Sequence, residues 1–141
     1  MPSDGFLKGM NAIHRTVFRA SGGRLLGRVG GMPVVDLHNV GRKSGQQRSS
    51  MLTSPIQAGD EIVLVASRGG DPHHPAWYHN LKANPDVEIT IGGKRRPMRA
   101  RVATSEEKAE LWPKVTAKYK GYAGYQTKTT RDIPLVILSP R

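Results

Sequence analysis

The chain has 141 residues, and its 22 Lys and Arg against 11 Asp and Glu give a formal net charge of +11 at pH 7. A hydrophobic content of 37% with 16 glycines and 10 prolines favours one turn-rich β domain over a helical bundle. The absence of cysteine excludes disulfides, thiolate metal sites and cysteine nucleophiles. The charge predicts an anionic partner, which leaves nucleic acid, an acidic membrane face and an acidic small molecule open.

The first predicted element is a helix over residues 6–17, where apolar side chains recur at helical spacing. The basic residues of this helix leave two interpretations open: it packs on the core, or it is amphipathic and contacts anionic lipid. We expect a single domain over 1–141 with an N-terminal helical extension over 1–30. We find no secretory signal or spanning segment, so we expect a cytoplasmic protein, peripheral at the inner membrane face if the helix binds lipid.

Strands dominate the rest of the chain, because apolar segments are bounded by Gly, Pro and Asp turn signals. The predicted strands are 34–40, 49–56, 61–67, 87–91, 96–103 and 133–138. Two helices are predicted over 75–83 and 105–118, the second with Ser105 as its N-cap. The fold class is therefore mainly β with flanking helices, and the short hairpins favour an antiparallel barrel.

The turn between the first two predicted strands concentrates groups that bind anions. Residues 38–50 read His-Asn-Val-Gly-Arg-Lys-Ser-Gly-Gln-Gln-Arg-Ser-Ser. Glycines permit a close backbone approach to a ligand, while amides, hydroxyls and cations bind phosphate or carboxylate oxygens. The spacing is not that of a nucleotidase P-loop. An ordinary solvated hairpin tip is the alternative interpretation.

Two aromatic clusters are further candidates. Ala76-Trp-Tyr-His-Asn80 places rings and hydrogen-bonding groups in one helical turn, as the wall of a site or, through Trp77, as a core anchor. Tyr119, Tyr122 and Tyr125 recur every three residues, which puts their rings on one side of a helical or 3₁₀ turn. That segment is either a flap over a site or an aromatic edge that closes the core.

Other chemistries are disfavoured by spacing. His73, His74 and His79 lack the i, i+4 spacing of a helical zinc pair, so we expect no metal. No Gly-x-Ser-x-Gly elbow of a serine hydrolase is present. The cations are spread along the chain with few aromatics among them, which makes nucleic acid an unlikely partner.

Taken together, five motifs resemble the deazaflavin-dependent nitroreductase family, whose members use coenzyme F420. They are Gly41-Arg-Lys-Ser-Gly45, Val65-Ala-Ser-Arg-Gly-Gly70, Pro75-Ala-Trp-Tyr-His-Asn-Leu81, the tyrosines of 119–125 and Arg131-Asp-Ile-Pro134. The resemblance covers roughly residues 30 to 140. It implies an antiparallel split β-barrel of the FMN-binding, pyridoxamine-phosphate-oxidase-like kind.

The resemblance also implies the site residues. The cofactor-binding set would be Lys43, Ser44 and Gly45 on the phosphate, Ser49, Ser50, Met51, Leu52, Thr53 and Ser54 along the deazaflavin, then Val65, Ala66, Ser67 and Arg68, and finally Ala76, Trp77, Tyr78, His79, Asn80 and Tyr122 around the ring. The catalytic candidates are Ser67, Tyr119, Tyr122 and Tyr125, with Ser67 as a hydrogen-bond donor to a carbonyl or nitro group.

The expected function is hydride transfer from reduced F420 to a quinone, enone or nitroaromatic acceptor. The first alternative is a non-catalytic split barrel that binds F420 or a fatty acid, and the second is nucleic-acid binding through the basic stretch 94–101. Both a monomer and a homodimer remain open.

Overall fold

The computed structural model describes residues 28–29 and 32–141. In this part the strands are β1 (Arg28–Val29), β2 (Met32–Val40), β3 (Gln47–Thr53), β4 (Ile56–Ala58), β5 (Glu61–Val65), β6 (Asp86–Ile91), β7 (Lys94–Val102) and β8 (Leu135–Pro140). The helices are α1 (Ala76–Ala83), α2 (Ser105–Lys118) and α3 (Gly121–Thr127), and a 3₁₀ turn spans Arg68–Gly70. The predicted N-terminal helix over residues 6–17 lies outside the described residues, and so does its lipid contact.

The strands form one antiparallel sheet that curls around its own core. Its order is β1-β2-β6-β7-β8-β5-β4, and β3 pairs with β2. Side chains from β2, β5, β6, β7 and β8 meet in one buried cluster, which requires the sheet to curve back on itself. The sheet with its three helices is a half-barrel, and the predicted mainly β, split-barrel fold is confirmed for the described residues.

β5 and β8 are buried on both faces, because helices pack on each side of the sheet. Ile62 and Leu64 of β5 point into the inner core, which α1 covers with Trp77 and Leu81. Val63 and Val65 point to a second core, which α2 and α3 cover. Each fully buried aliphatic side chain contributes roughly 1.5–3 kcal/mol, so the second core is sufficient to hold α3 against the barrel.

Two local predictions were wrong. The strand predicted over 49–56 is broken between β3 and β4, because Pro55 has no N–H for a ladder and the buried Ser54 hydroxyl lies 2.7 Å from the Val63 carbonyl oxygen. The N-cap of α2 is Thr104 rather than Ser105. The Thr104 hydroxyl accepts the Glu107 N–H at 3.2 Å while the Glu107 carboxylate accepts the Thr104 N–H at 3.0 Å, a reciprocal pair that Ser105, three residues before a lysine, cannot form.

Candidate functional site

The loop between β2 and β3, residues 41–46, is a tight hairpin turn with an exposed cationic tip; we call it the anion loop. The Gly41 N–H donates to the Gln46 carbonyl at 2.9 Å, and the Gly45 N–H donates to the Gly41 carbonyl at 2.9 Å. A Cβ on Gly41 would lie 2.5 Å from the Ser44 hydroxyl oxygen, so a side chain at this position would displace that hydroxyl. Arg42 and Lys43 are exposed at the tip, where their charges are available to an anion.

Asn80 attaches helix α1 to this loop. Its Oδ1 accepts the Arg42 backbone N–H at 3.0 Å, and its Nδ2 donates to Asn39 Oδ1 at 2.8 Å. Asn80 and Asn39 are both buried, and a buried amide is costly unless both of its ends are hydrogen-bonded. The orientation of α1 relative to the anion loop is therefore fixed by specific bonds as well as by packing.

Three rings form a cluster at the start of α1. The ring centroids of His74 and Tyr78 are 4.6 Å apart, and those of His74 and His79 are 5.7 Å apart. Burial, together with nearby cations, lowers the pKa of both histidines below the ordinary value; Arg131 is the first of these cations at His74 and Arg42 at His79. Both rings are consequently held neutral near physiological pH.

Arg131 connects this ring cluster to the segment that carries Ser67. Its guanidinium donates to the carbonyls of Ala66 at 3.2 Å, Ser67 at 2.8 Å and Asp71 at 2.9 Å, and its Nη1 lies 3.0 Å from His74 Nδ1. Ser67 is buried. The 3₁₀ turn that follows packs on α3 so closely that a Cβ on Gly70 would lie 2.8 Å from the Tyr125 carbonyl oxygen.

The three predicted tyrosines do form one aromatic cluster. Their ring centroids lie 5.1 Å apart for Tyr119 and Tyr122, 6.1 Å for Tyr122 and Tyr125, and 6.5 Å for Tyr119 and Tyr125. The Tyr122 hydroxyl lies 3.3 Å from the Thr53 hydroxyl on β3. Burial raises the pKa of Tyr122, and burial with the neighbouring Tyr119 raises the pKa of Tyr125 to about 12. Both phenols are therefore protonated at neutral pH and available as donors.

These contacts make an unbroken path along one side of the half-barrel. The path runs from the anion loop to α1, through Arg131 to the segment 66–71, on to α3, and from α3 to β3, which leads back to the anion loop. The path thus links segments far apart in sequence, with the anion loop at the Gln47 end of β3 and the tyrosine cluster at its Thr53 end, and all five motifs contribute to it.

The remaining predicted residues differ in their accessibility. Lys43, Ser44 and Gly45 are exposed, Ser49, Ser50, Leu52, Thr53, Arg68 and His79 are partly exposed, and Met51, Ser54, Val65, Ala66, Trp77 and Tyr78 are buried. Ala76 is exposed at the start of α1. Trp77 and Tyr78 belong to the inner core, which agrees with the core-anchor interpretation.

Sequence reasoning missed three polar residues of this region: Asn39, His74 and Arg131. Asn39 follows Val35 and Leu37 on the same buried face of β2, and it has no local signal. His74 was considered only as a metal ligand. Arg131 stands in the quoted Arg131-Asp-Ile-Pro134 motif, and its position in that motif was the one signal that could have identified it.

In the part of the chain that the structure describes, no cluster of three or more His, Asp or Glu side chains is placed to hold a metal ion. Among the same residues no helix has both the length and the apolar character needed to cross a membrane.

A curled antiparallel half-barrel that carries a cationic loop and a tyrosine cluster is the arrangement of a split-barrel oxidoreductase. The sequence model of the F420H(2)-dependent quinone reductase family matches residues 11–140, and the chain belongs to that family. It is 42% identical over 133 residues to the F420H(2)-dependent quinone reductase Rv1261c of Mycobacterium tuberculosis, a match that covers 92% of this chain and 89% of the relative.

Solved structures of similar proteins agree with this family assignment. The chain is similar to an F420-H2 dependent reductase, FDR-A, with a TM-score of 0.68 and 42% identity over 76% of this chain and 94% of that one. A second structure, a domain-swapped dimer, has a TM-score of 0.69 and 36% identity over 91% and 97% of the two chains. The haem storage protein HutZ of Vibrio cholerae, at 16% identity and a TM-score of 0.54, shares the fold alone.

Proposed function

We propose that this chain is an F420H2-dependent reductase that transfers a hydride to a quinone, with enones and nitroaromatics as acceptors of related chemistry. The observation that carries the proposal is the contact path from the anion loop to the tyrosine cluster. It connects groups suited to an acidic cofactor, beside the Gln47 end of β3, with groups suited to an electrophilic acceptor, at the Thr53 end of the same strand, in a fold whose family is named for this reaction.

The residues present fit coenzyme F420, which carries a phosphodiester and a glutamate tail. The exposed cations of the anion loop and the Ser44 hydroxyl are donors for the acidic groups. The exposed Gly45 has a φ of +71°, so the loop backbone there carries no side chain that would hinder the approach of a ligand. In this proposal Lys43, Ser44 and Gly45 hold the phosphate, and the β3 residues from Ser49 to Thr53 lie along the ring.

When bound, reduced F420 supplies a hydride from C5 of its deazaflavin. The chain supplies the donors that stabilise negative charge as it develops on the acceptor oxygen. Ser67, fixed by Arg131 through its own carbonyl, is the first candidate. Tyr122 and Tyr125 keep their protons at neutral pH because burial raises the pKa of each phenol, so they act as hydrogen-bond or proton donors rather than as bases. Tyr119, 38% exposed, lies on the solvent side of the cluster and limits the access of water.

The test is a fluorescence titration with oxidised F420, with FMN in parallel, followed by the oxidation of F420H2 by menadione. We expect F420 to bind in the low-micromolar range or tighter, a free energy of about −8 kcal/mol, with no binding of FMN. Absence of F420 binding would overturn the proposal. Tight binding without turnover of any quinone, enone or nitro compound would replace it with the non-catalytic binding protein.

The nucleic-acid alternative is weakened by the pairing of the basic residues on β7. Arg99 lies 3.2 Å from Asp86, Arg101 makes a bidentate contact with Glu107 at 2.6 and 2.8 Å, and Arg95 pairs with Glu88. Cations already paired with carboxylates of the same chain, on β6 and α2, release fewer counterions on binding a phosphate backbone.

Contact with a membrane and the oligomeric state stay predictions.

Sedimentation with anionic vesicles, comparing the full chain with one lacking residues 1–20, tests the lipid contact. Equal pelleting of the two proteins would exclude it. Analytical ultracentrifugation distinguishes a monomer from a homodimer; the structural relative that forms a domain-swapped dimer makes the measurement worthwhile.

A further inference from the structure

The segment from Ser67 to Gly70 has an unusual backbone. Arg68 has a φ of +46°, and among the described residues it is the one non-glycine with positive φ. Gly69 and Gly70 follow with φ of +64° and +84°. A left-handed conformation is disfavoured for a residue with a long side chain, and it persists where the surroundings impose it.

Hydrogen bonds within the segment account for part of this conformation. The Gly70 N–H donates to the Ser67 carbonyl at 2.9 Å, and the Asp71 N–H donates to the Arg68 carbonyl at 3.2 Å. These bonds close the turn, but they do not attach it to the rest of the fold. Because Arg68 needs a left-handed backbone that a free loop would rarely adopt, a further constraint is required.

The Arg131 guanidinium supplies such a constraint, in addition to the ion pair of Arg68 with Asp71 at 3.3 Å and the packing of Gly70 on α3. It donates to the carbonyls on both sides of the left-handed residues, those of Ala66 and Ser67 before them and that of Asp71 after them, with distances of 2.8 to 3.2 Å. The planar fork of an arginine reaches several acceptors in fixed directions, which a lysine ammonium cannot do. Gln126 of α3 holds Arg131 in turn, because its Nε2 donates to the Arg131 carbonyl at 2.8 Å.

We propose that Arg131 is a positioning residue of the reductase site: it holds residues 68–70 in their left-handed turn and thereby fixes where the hydroxyl of the preceding Ser67 and the Arg68 side chain lie. The inference rests on the proposed function for the roles of Ser67 and Arg68. Arg131 touches neither cofactor nor acceptor in this account; it acts through the backbone of the segment that does.

The experiment combines hydrogen exchange of the cofactor-free protein with steady-state kinetics on the variants R131A and R131K. The matched control is R141A, because the Arg141 guanidinium also donates to two backbone carbonyls, those of Met98 at 2.9 Å and Val87 at 3.1 Å, on β7 and β6 instead of the site. R131K keeps the charge and provides a folded variant if R131A is too unstable. Guanidinium ion at millimolar concentration is added to each variant as a chemical rescue.

We expect the amides of residues 67–71 to exchange at least about tenfold faster in R131A than in the wild type, with the β-sheet amides unchanged. We expect kcat to fall by roughly 10²-fold, as for a displaced catalytic group, with partial recovery on adding guanidinium. R131K should lie between R131A and the wild type. R141A should lose thermal stability without a change in the exchange of residues 67–71 and without rescue.

Unchanged exchange of residues 67–71 in R131A and R131K would overturn the proposal. So would faster exchange with an unaltered kcat, because the segment would then be held for stability alone. If the wild type itself does not oxidise F420H2, the reductase function fails, and the exchange data still decide whether Arg131 holds the segment.

Discussion

The backbone N–H of Arg42 donates to Asn80 Oδ1 at 3.0 Å, which makes one side chain of helix α1 part of the anion loop. The other end of the same amide donates to Asn39 Oδ1 at 2.8 Å, and Asn39 Nδ2 reaches the Leu37 carbonyl at 3.2 Å. The conformation of the anion loop is therefore coupled to the positions of α1 and β2. A displacement of any one of these three elements would break hydrogen bonds to the others.

Asn80→Asp should damage both the fold and the binding of an anion. A carboxylate still accepts the Arg42 N–H, but it cannot donate to Asn39, and two acceptor oxygens would then face each other in a buried position. We expect the free energy of unfolding to fall by about 1–3 kcal/mol, with weaker F420 binding. Urea denaturation and F420 titration measure the two effects. Asn84→Asp is the control, since Asn84 is exposed after the end of α1; equal losses in the two variants would contradict the role of Asn80.

Lys43→Ala should weaken F420 binding and leave the fold intact. Lys43 is exposed at a hairpin tip, so its removal costs little packing, while loss of a charge-assisted hydrogen bond reduces affinity by about tenfold or more. The control is Lys94→Ala, which removes the same charge from the exposed start of β7. A Lys43→Ala protein with unchanged affinity and a lowered Tm would show that the anion-loop assignment is wrong.

Much of the sheet could be predicted because its causes are local. Alternating apolar residues on β7 and the Gly92-Gly93 turn appear in a short window of sequence, and both are found in the structure. The end of β3 has one local signal, Pro55, which the predicted strand over 49–56 did not take into account, and one cause that is not local. It depends on the Ser54 hydroxyl reaching the Val63 carbonyl on β5, nine residues further along the chain.

In the candidate site, too, some features have local sequence signals and others depend on residues far apart in the chain. The anion loop and the tyrosine repeat carry their signals in composition and spacing, and motif resemblance adds their order. Arg131 and Ala66 are separated by 65 positions, and Asn80 and Asn39 by 41. Such bonds follow no periodicity, because the folded topology alone brings the partners together.

Tyr122→Phe separates a chemical role of the hydroxyl from packing. The hydroxyl lies 3.3 Å from the Thr53 hydroxyl, so its removal should cost about 1 kcal/mol of stability. Thr53→Val removes the same bond from the other end and is the matched comparison. If the phenol donates to the acceptor, Tyr122→Phe lowers kcat by about tenfold or more beyond the effect of Thr53→Val. Equal kcat in both variants would leave Tyr122 with a packing role.

The stability of the fold should depend on the protonation of His74. Arginine donates and never accepts, so the contact of 3.0 Å between Arg131 and His74 Nδ1 requires a neutral ring with its proton on Nε2. Burial lowers the pKa of His74 from 6.5, and electrostatic interactions with Arg131, His79 and Lys82 lower it further. The pKa of His79 is lowered in the same direction.

Between these lowered values and 6.5, the unfolded chain binds more protons than the folded chain. The free energy of unfolding must therefore fall as the pH decreases through this window. Glu107 loses its contribution to the stability of the fold at lower pH, because its hydrogen-bonded ion pair with Arg101 lowers its pKa to about 2. The loss of stability caused by protonation of the histidines therefore occurs at a higher pH than the loss caused by protonation of Glu107.

Urea denaturation from about pH 8 to about pH 5 measures this dependence. His74→Gln keeps a side-chain oxygen that can accept from Arg131 and cannot be protonated in this range, so its stability should vary less with pH than that of the wild type. His73→Gln, at an exposed neighbour whose side chain is 81% accessible, is the control and should retain most of the wild-type slope. A His74→Gln protein with the full wild-type slope would contradict the assigned tautomer, because protonation of the ring would then leave the Arg131 contact undisturbed.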